Sequence, residues 1–486
     1  MLFNSIQYLL FLPFVILIYY IVPKKIRYIW LLLVSYYFYI CWNPKYVFLI
    51  AASTSITFFS GLGIQFCREK FASYGLPARL IVAGSIFINL GLLFYFKYFE
   101  WMLTSIGEFF SLKLSSPLRI VLPVGISFYI FQSLSYTIDI YRGELKAEKN
   151  FFRYALFVSF FPQLVAGPIE RSKNLLVQLR DVAALKVDFD KIRDGLCLIL
   201  YGLFLKLVIA DRCAILVDAT FDNYIEYGFL ELLLAVICFA IQILCDFNGY
   251  TIIAQGSALM LGIKLMDNFR QPYLALSIHD FWRRWHISLT SWFTDYLYIP
   301  LGGNRKGIIR KMVNVMIVFL ISGLWHGASW NYVVWGGIHG VYQNIGIGIR
   351  ILIDRLKISD GRMKFSTKAM RIFVTFLIVD IAWVFFRSPD CVSALKFFRQ
   401  MFSGYQKVSL LALGLEWYDW LILVGAVMVM FCVDILHEKG VKIRKWLYNE
   451  RIWFRWLIYL GAFWTVLMFG LYGVEYDASQ FIYFQF

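Results

Sequence analysis

The apolar run Val313 to Leu324 leads into Trp325-His326-Gly327-Ala328-Ser329-Trp330. An imidazole in such a place is expensive to charge, so it stays neutral and keeps a lone pair that can take a proton. Ionisable side chains within membrane segments are functional candidates by default. Gly323, Gly327, Ala328 and Ser329 form a collar of small residues, which predicts room for a substrate beside the ring. The competing reading is a histidine hydrogen-bonded to a neighbouring helix carbonyl.

A second histidine lies in the stretch from Gln242 to Lys311, where acidic, basic and amide groups stand among aromatics. Asp246 and Asn248 occur in Asp246-Phe247-Asn248-Gly249-Tyr250, and His286 closes Phe281-Trp282-Arg283-Arg284-Trp285-His286. The pattern predicts a short helix over 279–292, with Trp282 and Leu289 sharing a face with His286. Taken alone, such a histidine is more often structural or interfacial. Prolines and glycines break this stretch, which suits backbone buried in protein or lining a wet cavity; an amphipathic interfacial helix is the plainer alternative.

The elements that hold these residues are membrane helices. The 486 residues are 60% hydrophobic and 19% aromatic, a composition that excludes an ordinary water-soluble domain. Twelve apolar blocks are mostly near the length needed to cross a bilayer: 5–22, 28–42, 46–66, 80–96, 120–140, 192–210, 229–245, 312–324, 331–349, 372–386, 418–436 and 453–472. Two weaker blocks, 154–168 and 250–263, read as re-entrant or buried segments. The expectation is an all-α polytopic integral membrane protein forming a single domain over residues 1–486, with N-terminal helices in 1–119 and C-terminal helices in 351–472. The first apolar run has no Lys or Arg before it and the cluster Lys24-Lys25-Ile26-Arg27 after it, which predicts an uncleaved first helix.

The net charge of +16 is carried largely by short loops, so orientation and lipid headgroups explain it better than nucleic acid. Basic residues cluster at 23–27, 67–79, 350–371 and 437–451, which an outside N-terminus places on the inner face. The acidic stretch 211–226 then falls in an outer loop, and both termini are extracytoplasmic; loop 387–417 fits less cleanly. Eight scattered cysteines form no CxxC or Cys/His cluster, so neither a metal site nor a disulfide framework is expected.

Several segments together make the sequence recognisable: Asp246-Phe247-Asn248-Gly249-Tyr250, Asn268-Phe269-Arg270-Gln271-Pro272-Tyr273, Asp280-Phe281-Trp282-Arg283-Arg284-Trp285-His286, Tyr298-Ile299-Pro300-Leu301-Gly302-Gly303-Asn304-Arg305 and Gly323-Leu324-Trp325-His326-Gly327-Ala328. The chain resembles the membrane-bound O-acyltransferase superfamily, and most of all its bacterial branch of alginate and peptidoglycan O-acetylation membrane proteins. That resemblance implies a ring of about 12 transmembrane helices, with re-entrant and interfacial helices around a funnel, and a catalytic core over 120–350. It implies that His326 is the catalytic histidine and His286 a supporting one, in a bacterial plasma membrane. A neutral imidazole suits removal of a hydroxyl proton as the oxygen attacks a thioester. Acetyl-CoA is the expected donor, used as a substrate, with no permanently bound cofactor. Arg283, Arg284, Arg305 and Lys306 could meet its phosphates, although basic loops serve lipid equally well. Asp246, Asn248, Trp282, Trp325 and Ser329 are candidate tunnel-lining residues, and the oxyanion donors are not identifiable from sequence.

Past the last apolar block, the aromatic tail 473–486 ends Phe481-Ile482-Tyr483-Phe484-Gln485-Phe486. It resembles the tail motif of the small membrane partner of the teichoic-acid D-alanylation system, implying that Tyr483 carries the acyl group as a phenolic ester. An apolar tail packed at the membrane interface is the alternative. The resembled pathways further imply an extracytoplasmic SGNH-type esterase partner for the final transfer, and no nucleic-acid partner. The rival readings are D-alanyl transfer to teichoic acid, a transporter using the same funnel, and a non-catalytic scaffold.

Overall fold

A computed structural model describes residues 1–71, 75–112, 121–164, 167–356, 364–404 and 413–472. All regular structure among the described residues is helical. Seven helices are long and apolar enough to cross a membrane: Tyr46–Lys70, Leu76–Phe110, Phe229–Met260, Gly307–His326, Phe365–Arg387, Trp417–Glu438 and Ile452–Phe469. The other five of the twelve apolar blocks are helical too, but shorter or more polar. They form Ile6–Ile21, Arg27–Ile40, Ile126–Arg142, Phe189–Leu203 and Trp330–Arg355.

Of the two weaker blocks, 154–168 becomes the short buried helices Phe151–Ser159 and Phe161–Leu164. The other is not a separate re-entrant segment. Residues 250–260 complete the 32-residue helix Phe229–Met260, because Gly249 and Gly256 occur singly and an isolated glycine does not stop a helix.

The chain divides into two compact units, one of residues 1–199 and 250–266, the other of 200–249 and 267–486. In the first unit, helix Ile126–Arg142 is buried along most of its length although it carries Gln132, Ser133, Ser135, Thr137 and Asp139. Such a helix needs polar partners where water is scarce. Gln132 donates to the Phe157 carbonyl (2.6 Å), and Gln163 donates to Gln132 (2.8 Å), covering the break between the two short helices. Buried Glu148 takes Arg153 at 3.3 Å and Arg180 at 2.7 Å.

The second unit contains the hairpin of Gly307–His326 and Trp330–Arg355. Its helices touch backbone to backbone. A Cβ on Gly323 would lie 2.2 Å from the Tyr332 carbonyl oxygen, and one on Gly336 would lie 2.2 Å from that of Phe319. Asn331 donates to the carbonyls of Phe385 (3.3 Å) and Ser388 (2.7 Å), satisfying the end of Phe365–Arg387 and fixing that helix against the hairpin. The three helices thereby deliver His326, Trp335, Trp383 and Phe386 to one place.

Candidate active site

His326 is the last residue of its helix and is 4% exposed. Its ring stands edge-on to Trp325 (5.1 Å between centroids), Trp335 (5.2 Å) and Phe386 (5.5 Å). His286 lies 6.3 Å away and is 1% exposed, so the two imidazoles share one aromatic cage. Phe247 (4.8 Å) and Trp325 (5.9 Å) also stand edge-on to His286.

The expected continuous helix over 279–292 is instead two short helices, Ile278–Arg284 and Ile287–Phe293, with His286 between them. His286 adopts φ 42° and ψ 54°, the left-handed region, which histidine tolerates better than most residues. No proline or glycine breaks the helix there. The cause is tertiary: the amide of Ile287 donates to the Asn268 carbonyl (2.8 Å), and the Arg270 amide donates to that of Arg284 (3.0 Å). Ser288 also donates to the Asn268 side chain at 2.6 Å. The segment from Asn268 to Arg270 thus holds the turn that aims His286 at His326. His286 lies outside the seven spanning helices, and burial lowers its pKa to about 3, which keeps the ring neutral.

The small-residue collar does not leave open space. A Cβ on Gly327 would meet Tyr332 Cε2 at 2.2 Å, so the missing side chain admits the Tyr332 ring, and Gly323 admits the neighbouring helix. Glycine here serves close packing.

Trp282 is buried and donates its indole N–H to His339 Nδ1 at 3.2 Å. Trp325 packs against both imidazoles, while Asn248 and Ser329 are half-buried. Asp246 is buried in an ion cluster: Lys206 Nζ lies 2.7 Å from Asp246 and 2.9 Å from Asp211. The stretch 211–226 is therefore not simply an outer loop, since Asp211–Asp222 is a helix and Asp211 is drawn inward by Lys206. Arg284 is engaged by Asp280 (2.9 Å) and Glu438 (2.7 Å), whereas Arg283, Arg305 and Lys306 are exposed. Tyr483 lies outside the described residues. Among the described residues no cluster of His, Cys, Asp or Glu could hold a metal ion.

Sequence reasoning passed over Lys206, Trp335 and His339. A lysine inside the apolar run Leu203–Ala210, and a histidine inside the block 331–349, were the available signals.

An all-helical, multi-pass membrane protein with an enclosed pair of neutral-capable imidazoles is the class these features define. The chain belongs to the membrane-bound O-acyltransferase family, whose model matches residues 142–386, and it is an O-acyltransferase. It is 36% identical over 410 residues to the "Probable alginate O-acetylase AlgI" of Pseudomonas putida, covering 83% of this chain and 80% of the relative. It is 35% identical over 432 residues to the "Peptidoglycan O-acetyltransferase" of Helicobacter pylori, covering 83% and 79%. The "Teichoic acid D-alanyltransferase" of Bacillus subtilis is 28% identical over 232 residues, covering 46% and 59%.

Proposed function

We propose that this protein moves an acetyl group from cytosolic acetyl-CoA across the membrane, for O-acetylation of a cell-surface polysaccharide. The observation that carries the reading is the enclosed His286–His326 pair, 6.3 Å apart, in a chain similar over 83% of its length to proteins named as O-acetylating. The shorter, weaker similarity to a D-alanyltransferase favours acetyl over D-alanyl transfer.

His326 acts as general base. It takes the proton of the attacking hydroxyl as that oxygen bonds to the thioester carbonyl carbon. The carbon–sulfur bond then breaks, and the imidazolium returns the proton to the departing thiolate. The attacking hydroxyl is that of Tyr483, whose phenolic ester is activated for onward transfer to an extracytoplasmic SGNH-type partner. Both termini face outward in this reading. The root of the tail is anchored beside the Lys206 segment: the Leu471 amide donates to the Leu207 carbonyl (3.1 Å), and Arg212 donates to the Phe469 carbonyl while pairing with Asp419 at 3.1 Å. Leu207 adjoins Lys206, whose partner Asp246 neighbours Phe247 against His286. Tyr483 lies twelve residues beyond Leu471, a chain that reaches at most about 40 Å. Because both imidazoles are nearly sealed, donor entry requires enclosing side chains to move.

The test is thiol release from acetyl-CoA by the purified full chain. Wild type releases thiol and His326→Ala does not; equal release by both would remove His326 from the chemistry.

A further inference from the structure

We infer that His339 is a positioning residue for His326, acting through the Trp282–Trp335 pair; this rests on His326 being the base. His339 is fully buried. Its Nδ1 accepts the Trp282 indole N–H at 3.2 Å, so Nδ1 carries a lone pair and the ring proton sits on Nε2. Nε2 has no hydrogen-bond partner among the described residues, which makes the Trp282 bond the ring's one polar contact there.

That bond locks a stack of rings ending at His326. Trp335 stands edge-on to His326 at 5.2 Å, and His339 packs against Trp335 at 5.0 Å. Trp282 reaches Trp335 at 5.8 Å, and Trp383 stacks on Trp335 at 5.7 Å. Ring packing alone is weakly directional, whereas a hydrogen bond fixes both partners' orientation. Without it Trp282 and His339 can rotate, Trp335 loses its backing, and the plane of His326 is no longer set. A loss of alignment lowers turnover more than it lowers donor binding.

The experiment compares kcat, KM for acetyl-CoA, pH profile and thermal stability across His339→Leu, His339→Asn, Trp282→Phe and His326→Ala. His339→Leu is expected to lower kcat about 10- to 100-fold with KM nearly unchanged. His339→Asn, whose amide oxygen can accept the indole N–H, is expected to recover most of that loss and keep the wild-type pH profile. Trp282→Phe should match His339→Leu, and the two together should cost no more than either alone. Normal kcat in a folded His339→Leu, or no recovery in His339→Asn, overturns the inference while an inactive His326→Ala leaves the general base intact. Activity in His326→Ala overturns both.

Discussion

Gly327→Ala should damage catalysis far more than it damages the fold. Gly327 has φ −162° and ψ 152°, extended backbone that alanine adopts without strain, so the effect comes from the added methyl. That methyl would lie 2.2 Å from Tyr332 Cε2 and 2.3 Å from Cδ2. Ordinary carbon contacts are about 3.5–4.0 Å, so the ring must retreat by more than about 1 Å. Any shift of that ring bears on Phe386, whose ring is 5.1 Å from Tyr332 and 5.5 Å from His326. Overpacking of this kind costs about 1–3 kcal/mol of stability. Displacing the base by about 1 Å lowers turnover about 100-fold. Gly337→Ala is the control: its methyl would meet Leu320 Cδ2 at 3.5 Å, ordinary contact, and a helical Gly→Ala is worth about 0.4–1 kcal/mol in favour of folding. Thiol release and thermal melting in one detergent give both quantities. Adding Tyr332→Leu to Gly327→Ala should recover part of the activity. Wild-type turnover in a folded Gly327→Ala would refute the packing account of the collar.

Three further outcomes follow from the same geometry. The pKa of His286, lowered to about 3, lies below its unfolded value near 6.5, so the unfolded chain binds more protons and stability falls as pH drops through that window, by about 1.4 kcal/mol per pH unit; melting against pH should flatten in His286→Phe. Lys206→Met leaves Asp211 and Asp246 buried without their lysine and should cost about 3–5 kcal/mol, partly recovered by adding Asp246→Asn, as denaturation would show. Arg212→Gln loosens the root of the tail and should reduce Tyr483 acetylation several-fold while the protein still folds, read by labelling with radioactive acetyl-CoA.

The membrane helices were legible because long apolar runs have few alternatives to a helix in lipid. Seven of the twelve blocks meet both length and apolarity, and the polar helix Ile126–Arg142 shows why a block can fall short: Gln132 finds its partners in Phe157 and Gln163, outside a local window, while Ser135 and Thr137 bond carbonyls of their own helix. The two histidines could be nominated from type and context, but their 6.3 Å approach was not legible from spacing. It depends on the break at His286, and that break depends on hydrogen bonds to Asn268 and Arg270. The partners of Lys206 lie 5 and 40 residues away, so only the fold reveals the cluster. The collar was misread in kind: small residues mark close approach as readily as open space, and Tyr332 fills what looked like room.

The most direct test of the central claim is mass spectrometry of the peptide containing Tyr483 after the full chain has been incubated with acetyl-CoA. The account predicts one acetyl group on Tyr483 in wild type and none in His326→Ala. An acetylated Tyr483 in His326→Ala, or an unmodified Tyr483 in a wild type that is actively releasing thiol, would contradict it.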